Sequence, residues 1–218
     1  MGLLCGAPYA AELPPGFVRL ADVAPQIGQE MRYAGVDNFV GRPVDGYEAG
    51  DCWLLEAAAQ ALAEVAVDAA KMRWRLVVYD CYRPERAVAD FVAWSRDAKR
   101  QERKTEYYPD IDKADLFNLG FIATRSQDSK GTTVDIGAEA ISASGKATKL
   151  DFGTPFDMFA PRSATASTDI KPAAQKARTT LVELMAGHGF DNYRKEWWHF
   201  TYAVEPAPPS FDLPITND

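Results

Sequence analysis

Along the chain, stretches whose apolar residues recur at helical spacing alternate with short blocks of β-branched and aromatic residues. From Trp53 to Lys71, the residues Leu54, Ala58, Leu62, Val65 and Ala69 share one face of an Ala-rich, Gly-free segment, which predicts an amphipathic helix. Trp74–Tyr79 (WRLVVY) has the length and composition of a strand. Pro84 suits the first turn of a following helix, because its missing N–H would have no partner there, and Ala87, Phe91 and Trp94 fall on one face of it. After a polar, Tyr-rich loop over residues 99–112, the pattern predicts a short strand at Phe121–Thr124, a polar turn over Ser126–Thr132 and a second strand at Thr133–Ile136. A helix from Pro172 to His188 turns Leu181, Leu184 and Met185 inward and is expected to stop at Gly189 through a left-handed cap. Trp197–Ala203 reads as the last strand. Residues 14–50, apart from one short strand, and residues 141–171 read as irregular, and no repeat or linker divides the chain. Strands and helices mixed without βαβ regularity predict an α+β fold, a small and mainly antiparallel sheet flanked by helices, in a single domain over residues 14–218.

Composition narrows the function classes. With 218 residues, 47% of them hydrophobic, the chain can bury a core and is not disordered. A net charge of −7 argues against nucleic acid as a partner, and no apolar run approaches the ~18–20 residues that cross a bilayer. Only two histidines are present, so a metal or acid–base site must lean on carboxylates. Residues 1–13 form an arm or the remnant of an export signal. Pro8-Tyr9-Ala10-Ala11 resembles a signal-peptidase site, but a basic leading region is missing. Cys52 and Cys81 can pair if the chain is exported and are otherwise small apolar residues, while Cys5 belongs to the arm. Periplasmic placement is the expectation, with the cytoplasm as the alternative.

Three segments can carry chemistry. In Glu196-Trp197-Trp198-His199, residues three apart on a strand face opposite ways, so Glu196 must precede the strand on a turn to meet His199. A carboxylate beside a histidine serves metal-assisted hydrolysis, yet a histidine hydrogen-bonded among aromatics explains the same pattern. Asp128 and Asp135 straddle a Gly-containing turn and can reach one point, though an ordinary polar hairpin would look alike. Arg83, between a strand end and a helix start, can be aimed into a pocket or lie on the surface. His188, at a helix end, reads as a cap.

Taken together the segments resemble the D-alanyl-D-alanine dipeptidases of the VanX type, zinc peptidases related to the D,D-carboxypeptidases of cell-wall metabolism. The resemblance runs from about Phe17 to Asp212. It includes Tyr33–Phe39, Gly41–Tyr47, Asp80–Val88, Tyr107-Tyr108-Pro109, the Ser126–Asp135 turn, Gly153–Asp157 and Glu196–His199. It implies one zinc ion per chain, held by a histidine and an aspartate of S-x-H-x-x-G-x-x-x-D and by the histidine of E-x-W-H. Asp135 and His199 match two of these ligands, Glu196 the catalytic base, and Arg83 the residue that stabilises the tetrahedral intermediate. Ser126, Asp157 and Tyr33 fall where the family contacts its small substrate, with Asp157 facing the ammonium group. Position 128 departs from the pattern: an aspartate stands where the family has a zinc-ligand histidine. Aspartate is shorter, and two aspartates with one histidine cancel the zinc charge where the family's set leaves about +1. The expectation is therefore weakened zinc, or a harder ion such as Mn²⁺, and impaired hydrolysis of D-Ala-D-Ala to two D-Ala. The alternatives are an inactive homologue that binds a dipeptide or muropeptide, and a carboxypeptidase acting on stem peptides. A closed pocket walled by the loops around 37–47 and 99–112 would count against the last.

Overall fold

The computed structural model describes residues 13–217, so the expected N-terminal arm, with Cys5, lies outside the described residues apart from Leu13. Strand β1 (Phe17–Arg19) runs into a single helical turn, α1 (Leu20–Val23), and then the two-residue β2 (Gly28–Gln29). Next come β3 (Trp53–Leu55), α2 (Glu56–Lys71), β4 (Trp74–Asp80), α3 (Glu85–Arg96) and the short α4 (Lys104–Tyr107). The second half holds β5 (Thr133–Ile141), β6 (Ala147–Lys149), α5 (Pro172–Ala186), β7 (Phe190–Asn192) and β8 (His199–Tyr202). The main sheet runs β2-β4-β5-β8-β7 with β6 added along β5, and β1 pairs with β3 separately. Every pairing is antiparallel except β2 with β4, and the fold is α+β.

β4 and β5 form the spine. Leu76–Asp80 and Thr133–Glu139 are buried without a break, as befits central strands covered on both faces. The small residues Ala58, Ala59, Ala66 and Ala69 of α2 let that helix lie close against β4 and α5. Near the β4–α3 corner the rings of Tyr33, Phe39, Phe91 and Trp94 pack with centroids 4.9 to 5.9 Å apart.

Several expected boundaries move, each for a local reason. The helix expected from Trp53 begins at Glu56, because Trp53–Leu55 is claimed by pairing with Phe17–Arg19. Pro84 stands just ahead of α3 as its N-cap. No strand forms at Phe121–Thr124: the N–H groups of Phe121 and Ile122 both donate to the Leu116 carbonyl and close a turn instead of a ladder. β5 continues past Ile136 to Ile141, and a Cβ at Gly137 would sit 2.7 Å from the Tyr79 hydroxyl, so this strand position needs glycine. Its extension gives β6 a partner within the stretch read as irregular. α5 ends at Ala186 with a right-handed Gly187, and the left-handed Gly189 turns the chain into β7 instead. The last strand begins at His199, with Trp197 and Trp198 in the turn before it.

Cys52 and Cys81 are both buried and joined by a disulfide, with Cα atoms 5.4 Å apart and a sequence separation of 29. The bond ties the start of β3 to the residue after β4. Cross-linking a loop of this length restricts the unfolded chain and stabilises the fold by about 3 kcal/mol. Urea unfolding with and without reductant is expected to show that loss, and the Cys52→Ala/Cys81→Ala chain should match the reduced protein. Coincident curves for the oxidised and reduced protein would contradict this role.

Candidate active site

Each candidate side chain is delivered by a separate piece of the fold. Asp135 lies on β5 directly opposite His199, the first residue of β8, so sheet register alone sets these two side by side. Glu196 sits on the β7–β8 turn, ahead of the strand, as its spacing from His199 requires. That turn is held by Asn192, which donates to the carbonyls of Glu196 and His199. Asp128 opens a 3-10 turn closed by Gly131 at φ 71°. A Cβ at Gly131 would run into the Phe17 ring, so the tight turn that presents Asp128 depends on glycine there. Arg83 occupies the β4–α3 corner, where its N–H donates to the Asp128 carbonyl at 3.1 Å. Asp157 sits at a φ of 61°, a conformation few non-glycine residues adopt.

A cavity of about 400 Å³ brings Tyr33, Arg83, Ser126, Asp128, Asp135, Asp157, Glu196 and His199 together. Its size lies at the small end of the ~300–1,000 Å³ typical of small-molecule pockets. Phe39 of the 37–47 loop contributes to the wall, and so do Gly120–Ala123 and Arg125–Gln127. The 99–112 loop does not line the cavity and is tied to the 37–47 loop by Arg103 and Asp37 at 3.0 Å. His188 lies elsewhere, pairing with Asp68 of α2 at 3.0 Å and fastening the end of α5 to that helix.

Two residues that sequence reasoning passed over, Asp80 and Tyr47, lie outside the cavity lining and hold Arg83 in place. Asp80 accepts from Arg83 Nε at 3.0 Å and Nη2 at 2.8 Å, and from the Tyr47 hydroxyl at 2.6 Å. The β4–β5 register slips by one residue between Val78 and Asp80, which turns Asp80 to face Asp135. A charged residue closing an apolar strand run, next to Arg83, was the available signal. On its other side Arg83 Nη1 meets Asp128 Oδ2 at 2.6 Å, and Nη2 lies 3.8 Å from Asp135. The guanidinium also stacks over the rings of Tyr33 and Phe91.

Five carboxylates, Asp80, Asp128, Asp135, Asp157 and Glu196, thus face the cationic side chains of Arg83 and His199. Burial opposes the charged form of Asp128, but Arg83 and then His199 outweigh it and hold the carboxyl below its usual range. Burial likewise works against an imidazolium at His199, yet Asp128 and Asp135 raise it to about 10. Burial pushes Glu196 up to about 7, with His199 pulling the other way. Burial, reinforced by Asp135, raises Asp157 well above the carboxylate range, and the Tyr33 hydroxyl donates to its Oδ2 at 2.8 Å. Burial and then Asp157 raise Tyr33 in turn, so that hydroxyl stays a donor. Burial raises Asp80 to about 7 as well, so several of these acids are held wholly or partly uncharged, and a cationic guest would favour their ionised forms.

The family of D-Ala-D-Ala dipeptidases matches residues 14–214. The chain belongs to that family. It is 34% identical to a D-alanyl-D-alanine dipeptidase of Enterococcus faecalis over 196 residues, 90% of this chain and 96% of that protein. It is 35% identical to one of Streptomyces coelicolor over 200 residues, 91% of this chain and 98% of that protein.

Members of this family are zinc metallopeptidases, and the donor geometry tests how the present residues suit zinc. A tetrahedral zinc needs donors at ~2.0–2.2 Å aimed at one centre. Asp135 Oδ1 lies 2.8 Å from His199 Nδ1, but Asp128 Oδ1 faces the other ring nitrogen, Nε2, at 3.8 Å. A metal on one nitrogen of the ring cannot also take a carboxylate set at the opposite nitrogen. Asp128 Oδ2 is meanwhile engaged by Arg83, and Oδ1 is buried without a well-formed hydrogen bond. Among the described residues no three His, Cys, Asp or Glu side chains are grouped to hold a metal. The residues present therefore do not fit the family's three-donor zinc site.

Arg83 neutralises carboxylates that burial would otherwise leave exposed to one another. Breaking such a buried pair typically costs about 3–5 kcal/mol, so Arg83→Met is expected to lower the unfolding free energy by at least about 3 kcal/mol in urea at neutral pH. An unchanged midpoint would show that the guanidinium does not balance this cluster.

Proposed function

We propose that this chain is a D,D-dipeptidase that hydrolyses D-Ala-D-Ala to two D-alanines, with turnover impaired by Asp128. The supporting observation is the convergence, in one dipeptide-sized cavity, of Glu196, Arg83 and the Asp135–His199 pair with the Asp157–Tyr33 pair. In this reading the substrate ammonium offsets the burial and the Asp135 charge that raise Asp157, so the carboxyl ionises as the ammonium enters and, oriented by the Tyr33 hydroxyl, holds it. Ser126, whose hydroxyl accepts the Asp128 N–H at 3.2 Å, contacts the peptide beyond it. Glu196 takes a proton from the attacking water and passes it to the leaving amine, and an acidity near 7 lets it do both at neutral pH. Arg83 stabilises the developing oxyanion.

Asp128 weakens this arrangement twice. It removes a nitrogen donor from the family's zinc set, of which only Asp135 and His199 remain, and an oxygen-richer set suits a harder ion such as Mn²⁺ better than zinc. It also holds Arg83 Nη1, the donor an oxyanion would need. The proposal places the chain in the periplasm, where a bond such as Cys52–Cys81 persists. Among the described residues no helix is long and apolar enough to cross a membrane.

Release of D-alanine from D-Ala-D-Ala in the presence of Zn²⁺ tests the reading. Slow release is expected from the unaltered chain, none from Glu196→Gln, and a rise of at least about tenfold in kcat/KM from Asp128→His. Binding of D-Ala-D-Ala with no release from either the unaltered chain or Asp128→His would instead identify a binding homologue.

A further inference from the structure

Arg178, on α5, is 1% exposed, and among the described residues no carboxylate forms an ion pair with it. Its guanidinium spends its donors on backbone and hydroxyl oxygens. Nε donates to Phe152 O at 2.7 Å, Nη1 to Arg162 O at 3.0 Å and Ala164 O at 2.7 Å, and Nη2 to Thr154 Oγ1 at 3.4 Å. One planar group thus grips both ends of the 152–164 loop, and Asp157 lies between them. Burial disfavours this cation, with only the charge of Asp151 opposing it and no carboxylate in direct contact, and its fixed fork of donors is what the site uses.

The grip extends to the segment that carries Glu196 and His199. Thr154 Oγ1 also accepts from Trp197 Nε1 at 2.9 Å, and the Trp197 N–H donates to Ser163 O at 3.1 Å. The Trp197 ring stacks on Phe152 with centroids 4.3 Å apart. Ser163 Oγ donates to the carbonyl of Met158, the residue after Asp157, at 2.6 Å. The positive φ of Asp157 needs such support, because a sparsely populated backbone conformation persists only where its surroundings over-determine it.

We propose that Arg178 is a positioning residue for substrate recognition: it fixes the 152–164 loop so that Asp157 faces the substrate ammonium, and through Thr154 it locks that loop to Trp197. The inference rests on the dipeptide reading above, in which Asp157 is the ammonium partner. Equilibrium titration of the full chain with D-Ala-D-Ala and with N-acetyl-D-Ala-D-Ala, which lacks the ammonium, reads the recognition directly. The unaltered chain is expected to prefer the free ammonium by at least about tenfold. Arg178→Met and Thr154→Val should cut that preference by at least about threefold, with Arg178→Lys intermediate, while affinity for the acetylated peptide barely moves. A purely structural role would weaken both ligands alike. Should Arg178→Met fail to fold, Thr154→Val, which keeps the guanidinium and removes only the shared oxygen, carries the test. An unchanged preference in folded Thr154→Val would overturn the inference. Asp157→Asn separates the two levels: a preference that survives this substitution overturns the ammonium assignment itself, whereas one lost in Asp157→Asn but kept in Thr154→Val overturns only the positioning role.

Discussion

The Arg83 guanidinium, held between Asp80 and Asp128 and layered over two aromatic rings, sets the charge balance of a pocket otherwise lined by carboxylates. Much of the surrounding structure serves that pairing. The register slip near the end of β4 brings Asp80 round, the Cys52–Cys81 bond fixes the chain one residue later, and the Gly131 turn brings Asp128 in from the far side of the sequence. Buried charges tolerate little slack, because a small displacement leaves a carboxylate with neither water nor partner. These elements are correspondingly short, tight and tied by backbone hydrogen bonds.

The long elements were legible in the sequence because their periodicity is internal to them. Leu62, Val65 and Ala69 mark α2, and Leu181 and Met185 mark α5, whatever surrounds them. Short strands carry no such signal. Trp53–Leu55 continues a helical pattern and becomes a strand only because Phe17–Arg19 lies beside it, and β7 exists only as the partner of β8. Phe121 and Ile122 look like a strand but find no ladder, and they wall the cavity instead.

The site divides along the same line. The residues named from spacing, Arg83, Asp128, Asp135, Glu196 and His199, and those the family resemblance added, Tyr33, Ser126 and Asp157, all line one cavity. Asp80 left one local signal, a charge closing an apolar strand run, but its contact with Asp135 arises from a bulge, and Tyr47 acts through a long-range hydrogen bond that leaves no local pattern. The fit of zinc was not legible either. Sequence indicates that Asp128 replaces a ligand, but only the structure shows the carboxylate turned to the Nε2 side of His199 and captured by Arg83.

In the proposed reading, one side chain at position 128 does two things at once: it withdraws a metal donor and engages Arg83, the cation that reading assigns to the oxyanion. The most direct test is zinc affinity, measured by competition with a chromophoric chelator for the unaltered chain and for Asp128→His. The expected result is weak binding in the unaltered chain and tightening by more than about 100-fold in the variant, since a restored first ligand should exceed the 10–100-fold effects of residues that merely support one. Equal affinities, or tight zinc in the unaltered chain, would contradict the account.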